Sequence, residues 1–412
     1  MNGESLLILG RQPALGLAEL ESLYGADAVT LIRPNVAKLD RPWQEVSLFQ
    51  LGGSTRSARI LTELPVASWP LVEKFFISAV LDRLNYFGEG KIKIGVSAYG
   101  FNISTARLAA STLALKKAIR NSGHSVRIVP NQSLELNTAQ LEYNGLTRAL
   151  SNTKNGEPAQ SSGHEFLLIA TGQGTTLLAQ TISAQDIRFY TIRDRGRPKR
   201  DARVGMLPPK LAQIILNLAL PKLRKKDIAD NLVVLDPFCG TGVMLQESLL
   251  VGHATYGTDL DKRLIDYSAA NLTWFEASYG PPGKQYKLET GDATTHTWQQ
   301  PIDCIASETY LGQPFSSVPV PEKLEAVRST CNVIIEKFLR NIGRQIKPGT
   351  RLCLAVPAWQ IASGSFRHLP LIDQLGDLGY NRVRFEHVRN EQLLYYRENQ
   401  IVARELLVLT RK

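Results

Sequence analysis

The sequence predicts an α/β protein whose second half is a doubly wound parallel sheet, preceded by an α+β half. Three observations carry this reading. From Gly205 onward, strand-length apolar runs alternate with helix-length amphipathic runs. One of those strands, Leu232-Val233-Val234-Leu235, is apolar throughout, as a strand buried on both faces must be. Before residue 186, half-buried alternating runs such as Lys91 to Ala98 mix with helices in no fixed order.

The elements follow in order. Ser5 to Leu9 is a buried strand ended by Gly10, and Ala14 to Tyr24 carries an apolar stripe that suits an amphipathic helix. Strand signals recur at Ala37 to Leu39, Val46 to Phe49 and Ser57 to Leu61, closing a unit near residue 68. A helix over Trp69 to Leu84 opens the next unit. Ser104-Thr105 then caps a helix running to Arg120, His124 to Val129 is a strand, and Glu165 to Ala170 forms a hairpin with Thr176 to Thr181. Ser151 to His164 is rich in Ser, Asn and Gly and reads as a loop. In the second half, strands are expected at Leu232 to Leu235, Ala254 to Thr258, Cys304 to Ala306 and Arg351 to Val356, with a closing antiparallel pair at Arg382 to Val388 and Glu405 to Leu409. Helices fill the intervals at Lys210 to Leu220, Gly242 to Leu250, Arg263 to Phe275 and Lys323 to Ile342.

At 412 residues the chain has room for two or three domains. No apolar run is long enough to span a bilayer, so no membrane association is expected, and Met1 to Glu4 lacks the basic start of a signal peptide. The four cysteines form no C-x-x-C pair, so neither a metal site nor a disulfide framework is expected, and the cytoplasm is the simplest compartment. The formal net charge is +10, and it is concentrated. Between Asp186 and Lys226 stand twelve basic residues, among them Arg193, Arg195, Arg197, Lys199, Arg200 and Arg203, against three acids. A solvated linker would explain such a run. Its local concentration favours contact with the phosphates of a nucleic acid.

The chemistry-bearing segment is Asp236-Pro237-Phe238-Cys239-Gly240-Thr241-Gly242, directly after an apolar strand and before a helix. Glycines there let a ligand approach backbone amides at the carboxyl edge of the sheet. Asp236 at the strand tip is placed to accept from a cationic or hydroxyl-bearing group. Asp259 follows 23 positions later at the next strand end, the spacing of a carboxylate that holds a ribose hydroxyl. A nicotinamide dinucleotide would want a third glycine and would place its pyrophosphate against Asp236. The string instead suits the cationic, amine-bearing S-adenosylmethionine, with Asp292 in Thr290-Gly291-Asp292-Ala293 presented to the adenine amino group. The cofactor set is therefore Asp236, Phe238, Gly240, Gly242, Asp259 and Asp292.

This loop, with Thr-Asp-Leu-Asp at 258–261 and Asn271-Leu272 in the following helix, resembles the tRNA guanine-N2 methyltransferases that act at position 10. Arg193-Asp194-Arg195-Gly196-Arg197-Pro198 and Gly205-Met206-Leu207-Pro208-Pro209-Lys210 are similar to the segment entering that family's catalytic domain, which implies that Pro208 packs along the methionine side of the cofactor. Leu7 to Pro13 and Leu17 to Leu20 resemble its ferredoxin-like start. Residues 70–185, with Leu136 to Ala139 and Asn144 to Leu146, look like a THUMP domain. The resemblance implies a ferredoxin-like region at 1–68, a THUMP-like RNA-binding domain at 69–185, a basic linker at 186–204 and a Rossmann-like class I methyltransferase domain at 205–412. It also implies tRNA as partner, the N-terminal half gripping the acceptor region while the target base leaves its stack.

The chain departs from that family at one place. Family members carry an Asp/Asn-Pro-Pro-Tyr/Phe turn after the fourth strand, whose polar residue and a backbone carbonyl accept hydrogens from the guanine amine while the ring stacks on the base. Here the turn is Ser307-Glu308-Thr309-Tyr310. Three accounts stand side by side. Ser307 or Glu308 accepts the amine hydrogens and Tyr310 stacks, so that these three residues are catalytic; or another base is methylated; or the chain binds tRNA and keeps the cofactor fold without transferring methyl groups. The sequence does not say whether an activating subunit is needed.

Overall fold

The computed structural model describes residues 3–87, 90–147, 162–201, 207–221, 232–280, 285–315, 317–398 and 400–412. Most of the loop expected at 151–164, the pair Gly205-Met206, and the basic residues Arg203, Lys222, Arg224, Lys225 and Lys226 lie outside these residues.

The first half runs β1 (Ser5–Leu9), α1 (Pro13–Tyr24), β2 (Val29–Arg33), β3 (Val36–Leu39), β4 (Ser54–Leu64), α2 (Trp69–Leu81), β5 (Ile92–Tyr99), α3 (Thr105–Asn121), β6 (Val126–Ile128), α4 (Thr138–Asn144), β7 (Gly163–Ala170) and β8 (Thr176–Ala184). The chain divides into two compact units, and all eight strands belong to the first. They form one sheet in the order β2-β3-β1-β4-β8-β7-β5-β6. β4 pairs antiparallel with β8 over most of its length, so strands on either side of residue 68 share a continuous hydrogen-bonded sheet. Along α2, Trp69, Val72, Phe76 and Val80 recur at helical spacing and bury one face against Ile94, Val96, Leu108 and Leu115. Trp69 Nε1 donates to Ser111 Oγ at 2.9 Å, satisfying a polar atom that burial would otherwise strand. The strand expected at Val46 to Phe49 does not form. Pro42, with φ fixed at −58°, opens a 3₁₀ turn over Trp43–Glu45, and a second covers Leu48–Gln50.

The second unit comprises Ala14–Ala26, Gln50–Gly53 and Phe189–Lys412. After α5 (Ile187–Arg195) and α6 (Pro209–Ala219) it runs β9 (Val233–Asp236), α7 (Val243–Leu250), β10 (Ala254–Asp259), α8 (Lys262–Tyr279), β11 (Tyr286–Thr290), β12 (Cys304–Glu308), α9 (Pro321–Ile342), β13 (Arg351–Ala362), β14 (Ser365–Arg367), β15 (Tyr380–Arg382), β16 (Leu394–Tyr395) and β17 (Val402–Arg411). Its main sheet has the order β11-β10-β9-β12-β13-β17-β15. β11 to β13 are parallel neighbours, and β17 is inserted antiparallel between β13 and β15. Sequence order reverses between β9 and β12, which opens a crevice outside their carboxyl ends, the general location of ligands in such sheets. β11 escaped the sequence reading because, at a sheet edge, none of its five residues is fully buried and no apolar run marks it. The closing strand expected to reach Val388 ends at Arg382, because the N–H groups of Glu386 and His387 donate to the carboxylate of Glu21 instead of to a ladder.

Helix α1 is part of this second unit, although it follows β1 in sequence. Its Glu19 is fully buried and accepts from the N–H groups of Gly52 and Gly53, both at 2.9 Å, and from Asn217 Nδ2 on α6 at 2.8 Å. A Cβ at Gly53 would lie 2.4 Å from Gly16 Cα, so only glycine permits this approach. The linker expected at 186–204 begins as helix α5, because Arg193 there is buried on Glu247.

Candidate active site

The loop from Asp236 to Gly242 is built by backbone hydrogen bonds to the next strand. Cys239 N donates to Thr258 O at 2.9 Å, and Gly240 N donates to Asp259 Oδ2 at 2.9 Å. Gly240 and Gly242 have φ of +52° and +82°, the left-handed region that favours glycine. A Cβ at Gly242 would meet Ser268 Oγ at 2.9 Å, and that hydroxyl already donates to Gly240 O at 2.9 Å. Asn271, also on α8, donates to Thr241 O and to Lys199 O and accepts from Lys199 N. One buried amide thus ties the loop to the segment entering this unit.

A cavity of about 700 Å³ opens at the carboxyl ends of β9, β10 and β12. It brings together Asp236, Phe238, Gly240, Asp259, Asp292, Glu308 and Tyr310 of the residues singled out in the sequence. Three do not line it. Gly242 caps α7 behind the loop. Pro208 caps α6, and its neighbour Leu207 reaches the cavity in its place. Ser307 is fully buried and donates to Asp236 Oδ1 at 2.6 Å, so its hydroxyl is turned from the cavity and its hydrogen is already given.

The other residues of the turn part company as well. Glu308 lines the cavity and forms an ion pair with Arg404 of β17. Thr309 is buried, with both its N–H and its hydroxyl on Ala355 O. Tyr310 is 46% exposed, an open aromatic face on the cavity wall. The sequence reading missed Leu260, which is 72% exposed at the cavity, and the stripe Thr330, Val333, Ile334 and Lys337 on α9. Their helical spacing was visible, but a core-facing stripe has the same spacing.

Charge in the cavity is one-sided. Asp236, Asp259, Asp261, Asp292 and Glu308 line it, against Lys337 among the described residues. Burial pushes Asp236 up to about 7, against the hydrogen bonds from Ser307 and Phe238 N that favour its charged form, and nearby Asp259 and Glu308 add to the rise. Burial also raises Asp259. Both Asp259 oxygens already serve backbone, Oδ2 for Gly240 N and Oδ1 for Asp261 N, but each keeps a second lone pair for a ligand hydroxyl. Cys239 is buried and its thiol is raised well above the ordinary value, so it is a packing group in the loop and no nucleophile.

The basic segment is mixed in character. Arg195, Lys199 and Arg200 are exposed, but Arg193 is 1% exposed and donates from Nε to Glu247 Oε1 at 2.7 Å. Its guanidinium also lies 4.1 Å from the Phe189 ring centroid and 4.6 Å from that of Tyr190. Arg197 is buried too and donates to Thr241 Oγ1 at 3.2 Å. Phosphate contact by these two is therefore excluded. Their charges are spent on α7 and on the Asp236 to Gly242 loop.

Comparison with known proteins places this geometry. No family model matches the chain. It is similar to the tRNA (guanine(10)-N2)-dimethyltransferase of Methanothermobacter thermautotrophicus, 27% identical over 153 residues, which are 37% of this chain and 39% of that protein. The protein of the same name from Methanocaldococcus jannaschii is 34% identical over 100 residues, 24% of this chain and 26% of that one. The matched stretches span well under half the length of these relatives. Among solved structures, TrmN from Thermus thermophilus superposes with a TM-score of 0.52 over 99% of this chain and 100% of that chain, at 16% identity. The likeness shows the fold: a doubly wound, Rossmann-like α/β unit preceded by an α+β half.

Proposed function

We propose that this chain is an S-adenosylmethionine-dependent methyltransferase that acts on tRNA at a guanine N2, position 10 by resemblance. The observation that carries the reading is the acid-lined cavity at the switch point of the sheet. Among the described residues five acids line it against one lysine, and even with Glu308 paired to Arg404 this balance suits a ligand that brings positive charge of its own and disfavours a pyrophosphate. S-adenosylmethionine fits that demand, and its activated sulfonium supplies the electrophilic methyl group. Asp236 would take its ammonium, Asp259 its ribose hydroxyls, and Asp292 the adenine amine. Leu260, Val333 and Ile334 offer apolar surface for a flat heterocycle. Tyr310 would stack on the target base. The names of the two curated relatives support guanine in tRNA as the acceptor.

In this reading residues 69–185 act as a THUMP-like RNA-binding domain after a ferredoxin-like start, with Arg195, Lys199 and Arg200 facing phosphate. No helix among the described residues is long and apolar enough to cross a membrane, and the work is expected to take place in the cytoplasm. The chain orients the base, excludes water and accepts a proton, since most of the rate comes from positioning.

A second reading is a tRNA-binding protein that keeps the cofactor fold without catalysis, and the burial of Ser307 against Asp236 favours it. Incubation with methyl-labelled cofactor and unmodified tRNA, followed by nucleoside mapping, separates the two. Label on N2 of a guanosine supports the enzyme; label on another base changes the substrate; no label leaves the binding protein.

A further inference from the structure

The turn after β12 raises a question that its sequence cannot answer: which group takes the hydrogen that the nucleophilic nitrogen must lose. Ser307 has given its hydroxyl hydrogen to Asp236, and Thr309 has given its own to Ala355 O. Glu308 stands between them and differs from both. One of its oxygens, Oε2, takes the Arg404 guanidinium, while Oε1 has no partner among the described residues, and Glu308 lines the cavity two positions from the open ring of Tyr310. The sheet register explains how Arg404 reaches it. Glu308 pairs with Ala355 of β13, and Ala355 pairs with Leu406 of β17, two residues from Arg404. Side chains two apart on a strand share a face, so Glu308 and Arg404 meet on one side of the sheet, across β13. Their side chains are 12% and 10% exposed, shielded enough for the contact to fix geometry.

We infer that Glu308 is the acceptor of the proton lost by the attacking nitrogen, and that Arg404 is the positioning residue that holds Glu308 toward the cavity. This deepens the methyltransferase reading and rests on it. The base nitrogen forms the new N–C bond as the methyl–sulfur bond breaks. The bonding pair stays on sulfur, and the nitrogen's proton passes to Glu308 Oε1 and then to water. In the resembling family the first residue of the turn is the polar one; here that duty moves one position along, because Ser307 is committed to Asp236.

The experiment measures methyl transfer to unmodified tRNA, calorimetric affinity for S-adenosylhomocysteine and melting temperature on the same full-length proteins. Glu308→Gln keeps size but takes no proton. It should lower kcat about 100-fold, with KM for tRNA and affinity for S-adenosylhomocysteine within threefold of wild type. Arg404→Met should lower kcat with the same two quantities unchanged, and Arg404→Lys should restore most of it. A Glu308→Gln protein that keeps kcat within threefold of wild type, or that loses cofactor affinity in parallel with kcat, overturns the inference. Equal losses in Arg404→Met and Arg404→Lys overturn the role of Arg404. Should Glu308→Gln fail to fold, Glu308→Ala, which also takes no proton, decides by the same criteria. Wild type that binds S-adenosylhomocysteine but labels no RNA overturns the function reading and this inference with it, whereas an active wild type with an equally active Glu308→Gln overturns this inference alone.

Discussion

Ser307 Oγ lies 2.6 Å from Asp236 Oδ1, joining the ends of the first and fourth parallel strands of the second unit's sheet. The contact has two consequences. It withdraws Ser307 from any substrate, and it leaves Asp236 as a 3% exposed acid whose pKa burial pushes up to about 7.

Asp236 therefore makes stability depend on pH in a defined direction. Its folded pKa of about 7 exceeds the ordinary value of 3.8, so the folded state holds a proton that the unfolded state releases. Stability from this group is greatest below about pH 4 and declines as pH rises to about 7. Relative to Asp236→Asn, wild type without cofactor should lose up to about 1.4 kcal/mol per pH unit in that window and level off above it. Denaturant unfolding across pH 4–8 measures this, and a flat difference would refute it. Affinity for S-adenosylmethionine should rise through the same window in wild type and stay flat in Asp236→Asn.

Gly242→Ala should damage the loop without touching the cavity lining. The position has φ of +82°, and a Cβ would press on Ser268 Oγ at 2.9 Å. A left-handed non-glycine residue costs about 1–2 kcal/mol before any clash. Displacing Ser268 would also release Gly240 O. Unfolding and calorimetry should show both lower stability and weaker cofactor binding.

Arg193→Met should be strongly destabilising. The pair with Glu247 is 1% exposed on each side, and removing one partner of a buried pair costs about 3–5 kcal/mol. The double variant Arg193→Met with Glu247→Leu should recover part of the loss, because the stranded Glu247 carboxylate is gone while buried Arg197 loses one nearby countercharge. Equilibrium unfolding of the two variants is the check.

The exposed cations should behave differently. Replacing Arg195, Lys199 and Arg200 by Ser should lower the slope of log tRNA affinity against log salt by about 0.7–0.9 for each phosphate that is no longer neutralised. Arg197→Met should leave the slope unchanged, since that side chain is buried against Thr241. Filter binding at several salt concentrations distinguishes the two, and an unchanged slope in the triple variant would refute phosphate binding there.

Sequence alone determined most of the alternation of strand and helix after residue 205, the loop from Asp236 to Gly242, the placing of Asp259 at a strand end, and the turn that holds Asp292. These are local matters. Periodicity follows from which face is buried, and a positive-φ turn needs glycine wherever it occurs. Only the tertiary structure decided what the charged and polar residues were for. Twelve cations in a short stretch looked alike until burial placed Arg193 on Glu247 and Arg197 on the Asp236 to Gly242 loop. Helix α1 joined the unit of residues far along the chain through Glu19 and two glycine amides. Ser307 and Glu308, adjacent in sequence, point to different partners because strand neighbours face opposite sides of a sheet. That Ser307 reaches Asp236 depends on the pairing of β12 with β9, and that Glu308 reaches Arg404 on a register spanning β12, β13 and β17, between residues 96 positions apart in sequence.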